Sequence, residues 1–180
     1  VSEQYLLENP NRVTVGTIGP VGERLFVIQA REETQLVTVK VEKVQVASLA
    51  TYLGRMLRDL ERPTELPGED DLDLEPFGTP DFTAEALALS YDEIVDRIVL
   101  LIDEVDRSEP EDDLQEASDD IGSDGSVVRL VLTREQAAAL AIRATELVEA
   151  GRPPCPLCGY PLDQRGHVCP RTNGKTAPIT

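Results

Sequence analysis

Arg24-Leu-Phe-Val-Ile-Gln-Ala30, a charged turn at 31–34 and Gln35-Leu-Val-Thr-Val-Lys-Val41 give way at Val44 to apolar residues at helical spacing. That change of period decides the fold. The first two runs are rich in β-branched and large aliphatic residues and read as strands joined by a short loop. In the third, Val46, Leu49, Ala50, Leu53, Met56, Leu57 and Leu60 fall on one face of a helix, with Arg55, Arg58 and Asp59 elsewhere. Upstream, Arg12-Val-Thr-Val-Gly-Thr-Ile18 alternates and ends at Gly19-Pro-Val-Gly22, a strand and its turn. Residues 1–60 therefore read as a βββα module behind a polar lead at 1–10. The glycines from Gly16 to Gly22 could be imagined around a phosphate, but no helix opens after them, so a hairpin turn is the simpler reading.

The same order recurs downstream. Residues 61–82 carry Pro63, Pro67, Gly68, Pro76 and Gly78 around the acidic run Glu69-Asp-Asp-Leu-Asp-Leu-Glu75, and read as a mobile linker. The carboxylates of Asp71, Asp73 and Glu75 lack the spacing of a calcium loop. Within 83–150, strands are expected at 84–91, at Arg97-Ile-Val-Leu-Leu-Ile102 and at Ser126-Val-Val-Arg-Leu-Val-Leu132, with an acidic insertion at 103–124 between the last two. Thr133 caps a helix through Ala150, helped by Glu135 and Gln136, with Leu140, Ala144, Leu147 and Val148 facing inward. Gln45 aligns with Gln136, carrying Val41 onto Leu132, Leu49 onto Leu140 and Met56 onto Leu147. Arg24-Leu-Phe-Val aligns with Arg97-Ile-Val-Leu. The expected fold is α+β: tandem βββα modules from an internal duplication, with antiparallel sheet and two helices, packed together because one helix cannot cover three strands.

Composition narrows the function. A chain of 180 residues can build a core without metals or disulfides. With no Trp, three Phe and four Tyr, that core falls to Val, Leu, Ile and Ala. A net charge of −17 makes the body repel nucleic acid phosphates and anionic membranes. No apolar run reaches membrane-spanning length and no signal segment opens the sequence, so the expectation is a cytoplasmic protein.

The three Cys and the one His all fall in residues 151–180, as Cys155-Pro-Leu-Cys-Gly159 and His167-Val-Cys169. Two thiolates two residues apart reach one ion, and the intervening stretch is long enough for a hairpin that returns the second pair. Cys155, Cys158, His167 and Cys169 thus supply a complete tetrahedral set for Zn(II), with no position for water, so the site is expected to be structural. A redox Cys-x-x-Cys is the competing reading. Arg152, Arg165, Arg171 and Lys175 face only Asp163 in this tail, which leaves nucleic acid contact through the tail as an alternative function.

Tyr91-Asp-Glu-Ile-Val-Asp-Arg97 gathers Asp92, Glu93 and Asp96 around one turn, a set that a hydrolase could use for acid/base work if the side chains converged. Capping and cross-strand pairing explain it more simply. A nucleophilic triad is disfavoured because the His and every Cys are assigned to metal. No catalytic residue is assigned, and the chain reads as non-enzymatic, with a protein partner as the expected ligand.

The strand at Arg12-Val-Thr-Val-Gly-Thr-Ile-Gly19, then Glu23-Arg-Leu-Phe-Val-Ile-Gln-Ala30, the Tyr91 to Arg97 hairpin, and the tail Gly151-Arg-Pro-Pro-Cys-Pro-Leu-Cys-Gly159 with Pro161-Leu-Asp163 and Gly166-His-Val-Cys-Pro-Arg171 together resemble an actinobacterial family of uncharacterised proteins, a domain of unknown function. The resemblance spans nearly the whole chain and implies no established activity.

Overall fold

Among the described residues, eight strands and two long helices follow one another as β1 (Gln4–Leu7), β2 (Arg12–Ile18), β3 (Leu25–Glu32), β4 (Gln35–Val41), α1 (Lys43–Arg58), β5 (Phe82–Thr83), β6 (Ala86–Asp92), β7 (Arg97–Asp103), β8 (Val127–Leu132) and α2 (Arg134–Glu149) in a computed structural model. The structure describes residues 3–104, 125–151, 155–158 and 168–172. Most of the acidic insertion, much of the Cys-bearing tail and the very N-terminus lie outside them.

The fold is α+β with two sheets, ordered β2-β3-β4-β5 and β1-β8-β7-β6. Each is antiparallel through three strands and gains a short parallel strand at one edge: β5 beside β4, and β1 beside β8. The expected antiparallel sheet is present in both halves, and these two parallel strands are additions to it. Each comes from the segment that opens the other half, so the halves exchange an edge. The lead expected to be merely polar supplies β1, with Leu7 fully buried opposite Leu130. Where the exchanged strands approach, the rings of Tyr5 and Phe82 stack at 6.5 Å.

In the two sheets Ile28 pairs with Val39 and Leu100 with Leu130, and Phe26, Ile28 and Ala30 enter the same core as Ile98, Leu100 and Ile102.

Both helices form as the periodicity predicts. Val46, Leu49 and Leu53 of α1 are buried, while Ala50, Met56, Leu57 and Leu60 pack on the core edge. Gln45 accepts the Glu42 N–H at 2.8 Å, satisfying a donor at the N-terminus of α1. At α2, Thr133 Oγ1 accepts from Gln136 N at 3.2 Å and Gln136 Oε1 accepts from Thr133 N at 3.0 Å, a reciprocal capping box. The helices pack on each other, and each lies against the first strand of the other half's sheet, α2 on β2 and α1 on β6. One contiguous aliphatic core results. Among the described residues no helix is long and apolar enough to cross a membrane.

The stretch expected to be a mobile linker is tied down. Leu66, Pro67, Glu69, Asp70, Leu72 and Asp73 face Ala139, Ile142, Arg143 and Glu146 on the flank of α2. The segment then passes to the outer face of the β2-β3-β4 sheet. Arg12 donates to the carbonyls of Asp70 (2.9 Å) and Asp73 (2.5 Å), and Thr14 donates to that of Leu72 (2.5 Å). Gln29 donates to the Glu75 carbonyl at 3.1 Å and accepts from the Glu75 N–H at 2.7 Å, as a neighbouring strand would. Arg31 holds the Glu75 carboxylate through Nε at 2.7 Å and a terminal nitrogen at 2.5 Å. Leu74 lies directly over Gly16, leaving no room for a Cβ there. The acidic run thus works as a strap around β2: arginines meet Glu75 and Asp73, and its Leu74 seals a glycine.

Candidate metal centre

Cys155 begins a turn that continues through Pro156, Leu157 and Cys158, and Cys169 precedes a single 3-10 turn at Pro170–Thr172. Cys155 and Cys169 are buried and Cys158 half-buried, although Leu157 and Val168 beside them are exposed. The sulfurs, rather than the larger apolar side chains, are what this part of the chain turns inward.

The three Sγ atoms lie within 4.8 Å of one another, and Cys155 and Cys169 are 4.0 Å apart. None is in a disulfide. A bonded pair would sit at about 2.05 Å, whereas two thiolates on one tetrahedral Zn(II), each about 2.3 Å from the ion, would sit about 3.8 Å apart. The measured spacing fits ligands around an ion. As thiolates, three sulfurs this close would repel one another strongly in a site withdrawn from water, and a divalent cation would remove that repulsion. The donor set therefore fits a soft or borderline metal ion; three sulfurs can hold one, and a fourth ligand completes a tetrahedron. His167, assigned from sequence as that ligand, lies outside the described residues, as do Arg152, Arg165 and Lys175. Arg171 is exposed.

The Tyr91 to Arg97 turn is built as a hairpin end and does not converge on a pocket. Asp92 Oδ1 accepts from the N–H groups of Ile94 (3.0 Å) and Val95 (3.3 Å), closing the turn. Glu93 is exposed, and Ile94 beside it is 95% exposed. Asp96 sits in the left-handed region at φ 52° and accepts from Tyr91 Oη at 2.8 Å and Arg134 Nε at 2.7 Å. Those two donors, Arg134 first, hold its carboxyl below the usual aspartate range. The sequence reading found Tyr91 and Asp96 but missed Arg134, whose place at the first turn of α2 carries no local signal of this contact. Acid/base chemistry at Asp92, Glu93 and Asp96 thus finds no support: one closes a turn, one is solvated and one is ion-paired.

The other sequence candidates resolve similarly. Gly19 and Gly22 have φ of 94° and 99° and form the β2–β3 hairpin turn. Glu75 is held by Arg31, and Asp73 lies 4.0 Å from Arg143, so the acidic run meets arginines of the same chain.

Residues 5–169 match a family model described as "Protein of unknown function (DUF3090)", and the chain belongs to that family. No curated protein and no solved structure matches it.

Proposed function

We propose that this DUF3090 member is a non-enzymatic interaction protein whose C-terminal part is folded around one structural zinc ion held by Cys155, Cys158, Cys169 and His167. The observation that carries the reading is that all three cysteines of the chain meet within 4.8 Å, two of them buried. Such a tail has little apolar material of its own, so metal binding would supply its folding free energy, on the order of 10 kcal/mol for a small zinc unit. Four protein ligands leave no position for substrate or water, which fits scaffolding rather than catalysis. Metal-bound thiolates persist in a reducing compartment, which agrees with a cytoplasmic protein. The shared strand order of the two sheets, each with an exchanged parallel edge, supports descent of the two βββα modules from one duplicated unit.

The test is metal content per chain on untagged protein, beside Cys155→Ser/Cys158→Ser and His167→Ala variants. One zinc per chain is expected, lost in the double cysteine variant while the body keeps its thermal transition. Cobalt-substituted protein should show the visible bands of a tetrahedral ion with thiolate and one nitrogen ligand, altered in His167→Ala. Metal-free protein whose thiols cycle with oxidant would instead establish a redox pair.

A further inference from the structure

The sheets have two long outer strands, β2 and β6, and the molecule treats them differently. An outer strand presents one row of unpaired N–H and C=O groups that another extended chain can adopt. β2 is guarded: Val13 and Val15 are buried, α2 lies against the strand, and the strap at 66–75 passes around it and bonds to Arg12 and Thr14. β6 takes the corresponding place in the other sheet, with α1 in the place of α2. There the seam stands open as a groove of about 560 Å³, walled by Val44, Leu49, Tyr52 and Met56 of α1 and by Leu87 and Leu89 of β6. Val44 is 70% and Tyr52 58% exposed. Among the described residues no strand pairs with the free side of β6.

We infer that the α1–β6 groove binds an extended peptide segment of a partner protein, laid along β6 as an added strand, with aliphatic side chains at alternate positions and a basic residue facing Glu85. The inference rests on the interaction reading above. Its form comes from the chain's own example, since the equivalent strand is wrapped by a stretch that makes one 3-10 turn at Glu69–Leu72, continues extended at Asp73 and drops Leu74 onto β2. The chemistry differs in a telling way. The strap is acidic where β2 and α2 offer Arg12 and Arg143, but the register puts Ala86 in the place of Arg12, and Tyr52 aligns with Arg143. Arg55 stands over the Tyr52 ring at 5.8 Å but does not line the groove, so an acidic strap meets no cation in the lining itself. Glu85 is the charged residue in the lining, and the whole chain carries −17, so an apolar and basic segment is complementary. The frame is fixed in advance: Gln45 Nε2 donates to the carbonyls of Ala84 (3.1 Å) and Glu85 (3.2 Å), holding α1 to the start of β6. Met56 and Tyr52 supply adaptable and amphipathic walls of the kind used by peptide-binding grooves.

The experiment pans a phage-displayed random peptide library against the full-length, metal-loaded chain and measures the enriched synthetic peptides by fluorescence anisotropy. Val44→Glu/Tyr52→Glu carries both changes at exposed positions, so folding should survive, and metal content with thermal melting confirms it. Expected are peptides with alternating aliphatic residues and a Lys or Arg, bound about tenfold more weakly by the double variant, with the basic preference lost in Glu85→Lys. Peptides that bind both proteins equally would place the interaction elsewhere and overturn the groove while sparing the interaction reading. Failure to enrich any peptide would overturn the groove proposal alone, since the interaction reading stands or falls on the metal measurements above. Self-association abolished by the double variant would make a second copy the occupant and likewise overturn the proposal.

Discussion

Replacing Gly16 by Ala should destabilise the protein, although a glycine inside a strand is ordinarily a weakness. Gly16 lies in the middle of β2, and its φ is not in the left-handed region, so the backbone accepts any L residue. By itself Gly→Ala would then stabilise by roughly 0.5–1 kcal/mol through the reduced freedom of the unfolded chain. The new Cβ, however, would stand 2.5 Å from both Cγ and Cδ1 of Leu74 and 2.9 Å from Cδ2. Moving one methyl does not relieve this; the whole side chain must shift, and it is moored between the Leu72 and Glu75 backbone hydrogen bonds. Overpacking of this kind costs about 1–3 kcal/mol, which outweighs the entropic gain and leaves a net loss of roughly 1–2 kcal/mol. Urea denaturation followed by circular dichroism reads it as a midpoint lowered by about half a molar or more. In a Leu74→Ala background the obstructing atoms are gone, and the same Gly16→Ala change should turn stabilising. Equal cost in both backgrounds, or stabilisation of the parent, would refute the placement of the strap on β2.

Acid should loosen the same strap. The paired hydrogen bonds from Arg31, with Arg12 adding charge, hold the Glu75 carboxyl below its ordinary value, so this contribution is complete above the ordinary glutamate range and is lost as pH falls through the depressed folded value. Amide exchange at Leu74 and Glu75 should rise over that acidic interval, and Glu75→Gln should flatten the dependence. Thr133→Ala removes half of a capping box and should lower stability by about 1 kcal/mol in chemical denaturation. Asp96→Gly should melt higher than Asp96→Ala, because both lose the contacts to Tyr91 and Arg134 but only glycine accepts a φ of 52° without strain.

What the sequence discloses, it discloses through periodicity. Alternation at 12–18, continuous β-branched and aliphatic runs at 24–30, 35–41, 97–102 and 126–132, and the 3.6-residue spacing in both helices locate the elements that build the core. Where that signal was too short, the reading failed. β1 has four residues and β5 two, and each is a strand only because a partner far along the chain holds it. The strap looked like a solvated linker because its Asp and Glu content outweighs Leu72 and Leu74, which settle separately, Leu72 at the end of a 3-10 turn beside α2 and Leu74 over Gly16. At the metal centre, residue type and clustering named the three cysteines without any help from periodicity. Arg134 escaped notice because an ion pair between a helix start and a distant hairpin leaves no trace in local sequence.

The exchanged edges also order events in time. β1 pairs residue for residue with β8, Gln4 opposite Val127 and Leu7 opposite Leu130. During synthesis, at about 5–20 residues per second, the Tyr5 strand therefore waits about 6–24 s before its neighbour exists. The segment made early is placed late, and until β8 emerges Leu7, fully buried in the finished fold, is exposed aliphatic material that the growing chain, or a chaperone, must keep from other partners.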